Sequence, residues 1–270
     1  MTINNNSFLS DAENTLANEY IKKGYLVGKI QEQEAITWIK KSLINIAKEE
    51  LNIKKVVSED KFLDSIHEYL TVSQLNDFRL AMIRKMNLLP NFRENYYKVI
   101  KPYIDIIVGN EVSMQLKANL SIQLPEDDSS LLPIHADTWS GDSPFEVVAW
   151  IPLVDCYKTK SMYILPANKY PAFEKNFKKM SGSSTDDLFD SVEKDLQWLE
   201  VNYGQVLIFN QALPHGNIVN HENESRWSMN CRFKGVFTPY GDKKLGEFFE
   251  PITLRPSSIC GLNYDLPKLD

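Results

Sequence analysis

Residues 226–233 read RWSMNCRF. Side chains alternate across an extended strand, so Arg226, Ser228, Asn230 and Arg232 share one face, while Trp227, Met229, Cys231 and Phe233 share the other. Residues 117–124, KANLSIQL, repeat the pattern: Lys117, Asn119, Ser121 and Gln123 oppose Ala118, Leu120, Ile122 and Leu124. One such strand alone reads most simply as amphipathic, with a solvated outer face. A barrel or sandwich built around a ligand cavity carries the same alternation, with the polar face lining the pocket and the apolar face covered by other elements.

Working outward, short β-branched and aromatic runs take over from about Val112 onward: MQLKANLSIQL, read as one strand that contains the stretch above, then SPFEVVAWIPLV, KSMYILP, QVLIFN and RWSMNCRFKGVF, separated by Pro, Gly and Asp signals. They predict antiparallel strands. Upstream, Ile36, Ile39, Leu43, Ile46 and Ala47, and then Phe62, Ile66 and Leu70, recur at helical spacing. Helices first and strands afterwards predict an α+β chain with a sandwich or barrel carrying the site. The expected layout is a single domain over 1–270, with a helical region at 1–110, a sheet core at 111–240 and a C-terminal extension at 241–270. The polar stretches PEDDSS near Pro125 and KKMSGSSTDD from Lys178 are expected to be mobile loops, able to order over a site.

The composition narrows the class. At 270 residues, 43% of them hydrophobic, the chain can bury a large core. A formal net charge of −6, with lysines in scattered pairs such as Lys22-Lys23 and Lys178-Lys179, predicts no nucleic-acid partner. Cys156, Cys231 and Cys260 lie far apart without a CxxC pair, which suggests neither a zinc knuckle nor a disulfide framework and fits a reducing cytosol. The start, MTINNNSFLSDAENTL, is no secretion signal, and no run of about 18 apolar residues occurs, so a cytoplasmic protein without membrane insertion is expected.

The chemistry-bearing residues are few. IHADTW sets His135 and Asp137 two apart, so on an extended strand both project from one face. In GQVLIFNQALPHGN a turn at Gly204 leads into a buried strand, Val206 to Phe209, with His215 just beyond its end; Arg226 stands eleven residues later. Two histidines and one carboxylate can form the facial triad of a non-haem iron(II) oxygenase, which leaves half of the octahedral positions open for a 2-oxo acid and dioxygen. The far carboxylate of such an acid suits the planar fork of Arg226, with Ser228 on the same face. His67, in DSIHEYL, reads as structural. His221, in the polar turn NHENES, is the alternative third ligand, and Arg232 the alternative carboxylate partner. Trp139, Asp142 and Trp198 are candidates to line a substrate pocket, although packing is the commoner role for each.

Taken together, residues from about 115 to 238 resemble the phytanoyl-CoA dioxygenase-like branch of the iron(II)/2-oxoglutarate oxygenases. The resemblance rests on His135-Ala136-Asp137, VVAWIPLVD with Trp150, SMYILPANKY, YGQVLIF, LPHGN and RWS. It implies a double-stranded β-helix (jelly-roll, cupin-like) core with helices packed on it. It implies Fe(II) held by His135, Asp137 and His215, and 2-oxoglutarate bound by Arg226 with Ser228. Trp150 and Asn217 match positions that line the co-substrate, with Gln123 and Tyr163 as further candidates. The catalytic set would be His135, Asp137, His215 and Arg226, acting with dioxygen to hydroxylate an unactivated C–H bond of a small molecule. One departure is Pro166-Ala167-Asn168-Lys169, where the family has Pro-Gly-Ser-His. Asp137 argues against the halogenases, which replace this carboxylate by Gly or Ala. Within the branch, HADTWSGDSPFEVVAWIPL is most similar to oxygenases encoded in bacterial surface-carbohydrate clusters, which points to a sugar or sugar nucleotide. The rival is a cupin-like metal-binding, sugar-binding protein or a non-redox isomerase; neither needs Arg226 and Ser228 at this distance from His215.

Overall fold

The computed structural model describes residues 8–56, 58–177, 182 and 184–265. In chain order come α1 (Asp11–Lys23), β1 (Tyr25–Lys29), α2 (Gln33–Glu50), α3 (Glu59–Phe62), α4 (Val72–Leu88) and α5 (Phe92–Ile107). Then follow β2 (Val112–Gln115), β3 (Asn119–Gln123), β4 (Val147–Pro152), β5 (Tyr163–Ile164), α6 (Tyr170–Phe177) and α7 (Thr185–Val192). The chain continues through β6 (Gln197–Trp198), β7 (Gln205–Asn210), β8 (His215–Gly216), β9 (Arg226–Gly235), β10 (Phe249–Pro251) and α8 (Pro256–Leu262).

An antiparallel main sheet runs β1-β7-β4-β9-β2-β10, with β3 also paired to β9. The ten-residue β9 is its spine: β4 lies along one edge, and β3 and then β2 lie along the other. A small sheet, β6-β5-β8, stands apart. The apolar face of β9 is covered by helices. Phe78 of α4 meets Trp227 edge-on at 6.0 Å, Tyr96 of α5 stacks on Phe233 at 6.2 Å, and the Tyr96 hydroxyl donates to the Ala149 carbonyl at 2.8 Å. Ile36, Ile39 and Leu43 of α2 are fully buried in the same core, each contributing ~1.5–3 kcal/mol. With one face thus sealed, the polar face of β9 is left to line a cavity rather than meet bulk water.

Several expectations need correcting. The 1–110 region is not helical throughout. α1 stops at Gly24, whose φ of 79° suits a residue without Cβ, and GYLVGK then adds β1 to the sheet edge, Tyr25 opposite Phe209. Tyr103 closes over this strand, its ring 2.2 Å from where a Cβ on Gly28 would stand. The run MQLKANLSIQL is two strands, because the Gln115 side chain turns into the break, donating to the Lys117 carbonyl at 2.7 Å and accepting from the Arg232 amide at 3.1 Å. The 241–270 extension contributes β10, paired to β2. PEDDSS is tied down, with the Glu126 amide donating to the Asn220 carbonyl at 2.8 Å and Asp127 and Ser130 buried. Of KKMSGSSTDD, residues 178–181 and 183 lie outside the described residues, and its end is the start of α7, where Ser184 and Asp187 form a reciprocal capping box.

Candidate metal centre

β7 ends at Asn210, and a short turn delivers His215 into β8. There His215 and His135 exchange both backbone hydrogen bonds, at 3.0 and 2.8 Å, as an isolated antiparallel bridge. Directly opposed residues of an antiparallel bridge project from the same face, and the two rings sit 4.4 Å apart. Ala136 is still extended, and Asp137 opens a short 3-10 turn (Asp137–Ser140), its amide donating to the carbonyl of buried Gln211 at 3.0 Å.

The donor set fits a divalent metal. His135 Nδ1 lies 2.7 Å from the Pro133 carbonyl and His215 Nδ1 lies 2.9 Å from the Leu213 carbonyl. A carbonyl only accepts, so each Nδ1 carries the proton and each Nε2 keeps its lone pair, the arrangement found for metal-bound histidines. One potential ligand atom from each of His135, Asp137 and His215 lies within 4.8 Å of the others. Ligands ~2.1 Å from one ion can be at most ~4.2 Å apart, so closure takes only small side-chain adjustments. Burial, and then the neighbouring His135, push the His215 imidazole down to about 4, which keeps it neutral and able to ligate.

The triad lies on the wall of a cavity of about 310 Å³ whose lining comes from β3, β4, β7, β8 and β9 and the adjoining loops. Arg226 lines it too. Its guanidinium is buried, donates to the Ser161 carbonyl at 3.1 Å and to Ser121 Oγ at 3.0 Å, and has no partner for Nε. No carboxylate among the described residues lies within ion-pair distance of it. Burial pulls its pKa down from the usual arginine range, opposed by the Asp127 carboxylate from beyond ion-pair distance.

Trp150 and Asn217 also line this cavity. Ser228 does not: it faces the same way but is buried beneath the lining, its Oγ unpartnered. Gln123 lies beyond the lining, donating to the Ile218 carbonyl at 2.8 Å and accepting from Asn217 at 3.3 Å. Tyr163 is packed between Phe189 and Trp198, at 5.2 and 5.3 Å, and lines a separate cavity beside α7. His67 bonds Ser225 Oγ at 2.9 Å, and exposed His221 pairs with Glu126 at 3.0 Å, so neither joins the triad. Arg232 binds Asp137 Oδ2 at 2.8 Å and is not a free carboxylate receptor. Trp139 stacks on Phe177 at 4.7 Å, half-exposed, while Asp142 is buried against Lys243 and Arg232. Asn119, Ser121 and Asn230 complete the polar lining; their alternation with buried apolar residues was the signal for them. Leu132 and Met162 reach it from outside regular strands, where no periodicity announces them.

No protein-family model matches the chain, and no curated protein sequence does. Solved structures do. The nickel complex of the non-heme monooxygenase ThoJ is 13% identical, with 89% of this chain and 84% of that one covered and a TM-score of 0.54. SnoK, a non-heme alpha-ketoglutarate-dependent carbocyclase from nogalamycin biosynthesis, is 16% identical over 92% of this chain and 98% of that one, with a TM-score of 0.53. EctD from S. alaskensis, with bound Fe, is 13% identical over 88% and 81%, with a TM-score of 0.51. No described helix is long and apolar enough to cross a membrane. At these identities the likeness shows a fold shared with metal-dependent non-heme enzymes, and the chain's own side chains carry the argument about its chemistry.

Proposed function

We propose that this chain is an iron(II)- and 2-oxoglutarate-dependent oxygenase with the double-stranded β-helix core of that class, hydroxylating a C–H bond of a small, polar substrate. The observation that carries the reading is the pairing of two features on one cavity: a His-Asp-His set with both Nε2 atoms free, and a buried arginine with no carboxylate in ion-pair contact. His135, Asp137 and His215 would hold the metal. Arg226 would receive the distal carboxylate of 2-oxoglutarate, with Ser121 and Ser161 already orienting its fork. Iron(II) with 2-oxoglutarate and dioxygen supplies oxidation of the C–H bond, with the oxo acid leaving as succinate and carbon dioxide.

The chain's own contribution is position and exclusion of water. Val148, Trp150, Met162 and Phe209 give the cavity apolar walls around the triad, and the covered face of β9 closes it from behind. Asn119 donates to Asn230 Oδ1 at 2.9 Å, leaving one amide oxygen and one amide nitrogen able to meet a ligand hydroxyl. That lining, with the resemblance of HADTWSGDSPFEVVAWIPL, favours a sugar or sugar nucleotide acted on in the cytoplasm. The test is anaerobic addition of iron(II) and 2-oxoglutarate, which should give the weak visible charge-transfer band of a chelated oxo acid. Succinate formation stimulated by one of a panel of sugars and sugar nucleotides then identifies the substrate. Metal-replete protein without that band, retaining zinc tightly, would instead support a cupin-like non-redox protein.

A further inference from the structure

We infer that Arg232 is a positioning residue for the metal centre: its guanidinium holds Oδ2 of Asp137 and leaves Oδ1 as the carboxylate oxygen free for the metal. The inference rests on the metal-centre reading above and concerns a residue which that reading does not use. Arg232 Nη2 donates to Asp137 Oδ2 at 2.8 Å, while Asp137 Oδ1 faces the triad, 3.6 Å from His135 Nε2. The arginine is itself fixed from behind. Its Nε donates to Gln211 Oε1 at 2.9 Å and lies 3.5 Å from Asp142 Oδ2, and Asp142 is held in turn by Lys243.

Gln211 is the keystone of this arrangement. Fully buried, it accepts the Asp137 amide on its backbone carbonyl at 3.0 Å, and its side-chain nitrogen donates to Glu146 Oε2 at 2.9 Å and to the Ser143 carbonyl at 3.2 Å. One residue therefore orients both the ligand's backbone and the arginine that grips the ligand's side chain. A carboxylate with one oxygen engaged by a guanidinium can offer a metal only the other. Coordination through a single oxygen leaves open a position that a bidentate aspartate would fill, and the proposed reaction needs that position. The cation also withdraws charge from Asp137, which opposes metal binding. Loss of a partner that orients a ligand nevertheless costs about 10–100-fold in metal affinity, so orientation is expected to win.

The experiment is calorimetric titration of the full chain with Co(II) alone, without co-substrate or turnover. Arg232→Ala should bind Co(II) about 10–100-fold more weakly than the parent, and Arg232→Lys should recover part of the loss. In an Asp137→Ala background, removing Arg232 should change nothing further, because its effect runs through that carboxylate. A folded Arg232→Ala protein with parental Co(II) affinity overturns the inference, as does an equal loss in the Asp137→Ala background. Should Arg232→Ala not fold, Arg232→Gln carries the same comparison: it keeps a donor but not the charge, and must still weaken binding. Failure of the parent itself to bind Co(II) would instead overturn the metal centre, and this inference with it.

Discussion

Arg226 and Arg232 stand on the same face of β9, six residues and roughly 20 Å of strand apart, yet they meet opposite surroundings. At the Arg232 end, two carboxylates and a buried amide surround the guanidinium. At the Arg226 end there is a hydroxyl, a carbonyl and an unsatisfied Nε. A buried cation without an anion is costly, whereas one paired and hydrogen-bonded on several sides is tolerated. One end of the cavity is thus internally balanced around a metal ligand, and the other, with Asp127 acting only from beyond ion-pair distance, keeps a guanidinium open to an incoming anion. Strand alternation assigns both arginines to one face and is silent on this difference.

The strongest test of the division is removal of the triad. His135→Ala, Asp137→Ala or His215→Ala should abolish metal-dependent turnover and reduce metal content while the chain stays folded, measured by metal analysis and thermal melting. His67→Ala and His221→Ala should retain metal. Loss of metal in His221→Ala but not in His215→Ala would break the assignment.

Next in size is Arg226→Ala. Breaking a buried charged pair costs on the order of 3–5 kcal/mol, so 2-oxoglutarate should bind roughly a hundred-fold to several thousand-fold more weakly at unchanged Co(II) affinity. Arg226→Lys should recover only part, since a point charge does not replace the planar fork. Arg232→Ala should show the reverse pattern, with metal affinity falling first. It is therefore no neutral control for Arg226, although the two share a face. If 2-oxoglutarate binding were indifferent to Arg226, the contrast between the two ends would collapse.

A smaller effect probes how the Arg226 end is anchored. Lys160, wholly buried, bridges Asp64 at 2.7 Å and Glu224 at 2.8 Å, and its neighbour Ser161 offers the carbonyl that holds Arg226. Lys160→Met should lower stability by about 3 kcal/mol in urea unfolding, since two carboxylates lose their buried partner. It should also loosen 2-oxoglutarate binding, with metal affinity spared.

The smallest expected effect is on acid stability. The hydrogen bond from Lys160 leads in holding the Glu224 carboxyl down to about 2, below the usual carboxylate value near ~4.3. A depressed carboxylate contributes stability that is fully present above its unfolded pKa and is lost as pH falls through the folded one. Its contribution should therefore fade between about pH 4 and pH 2, and Lys160→Met should flatten that part of the stability profile. An unchanged profile would mean that the cluster does not stabilise this end.

The residues alone determined much of this molecule. Period-two alternation in RWSMNCRF and KANLSIQL marked two strands with a polar and an apolar face, and the structure pairs them, Asn119 opposite Asn230 and Gln123 opposite Arg226. The motif IHADTW and a strand running into LPHGN marked the three residues that come together, His215 opposite His135, although Asp137 joins them from the start of a 3-10 turn rather than from an extended strand. Backbone geometry is enough for such inferences, because which face a side chain takes follows from its place in the repeat. Only the tertiary structure decided what each face meets. It turned Gln115 into the ladder to split one expected strand into two, left Ser228 buried outside the cavity lining, bonded Gln123 to Ile218 and Asn217, and set Tyr163 on a neighbouring cavity. It recruited GYLVGK as an edge strand and brought Gln211, from a turn without periodicity, to clamp Arg232 onto Asp137. These outcomes depend on side-chain rotamers and on loops that come together from distant parts of the chain, and no local repeat in the sequence encodes either.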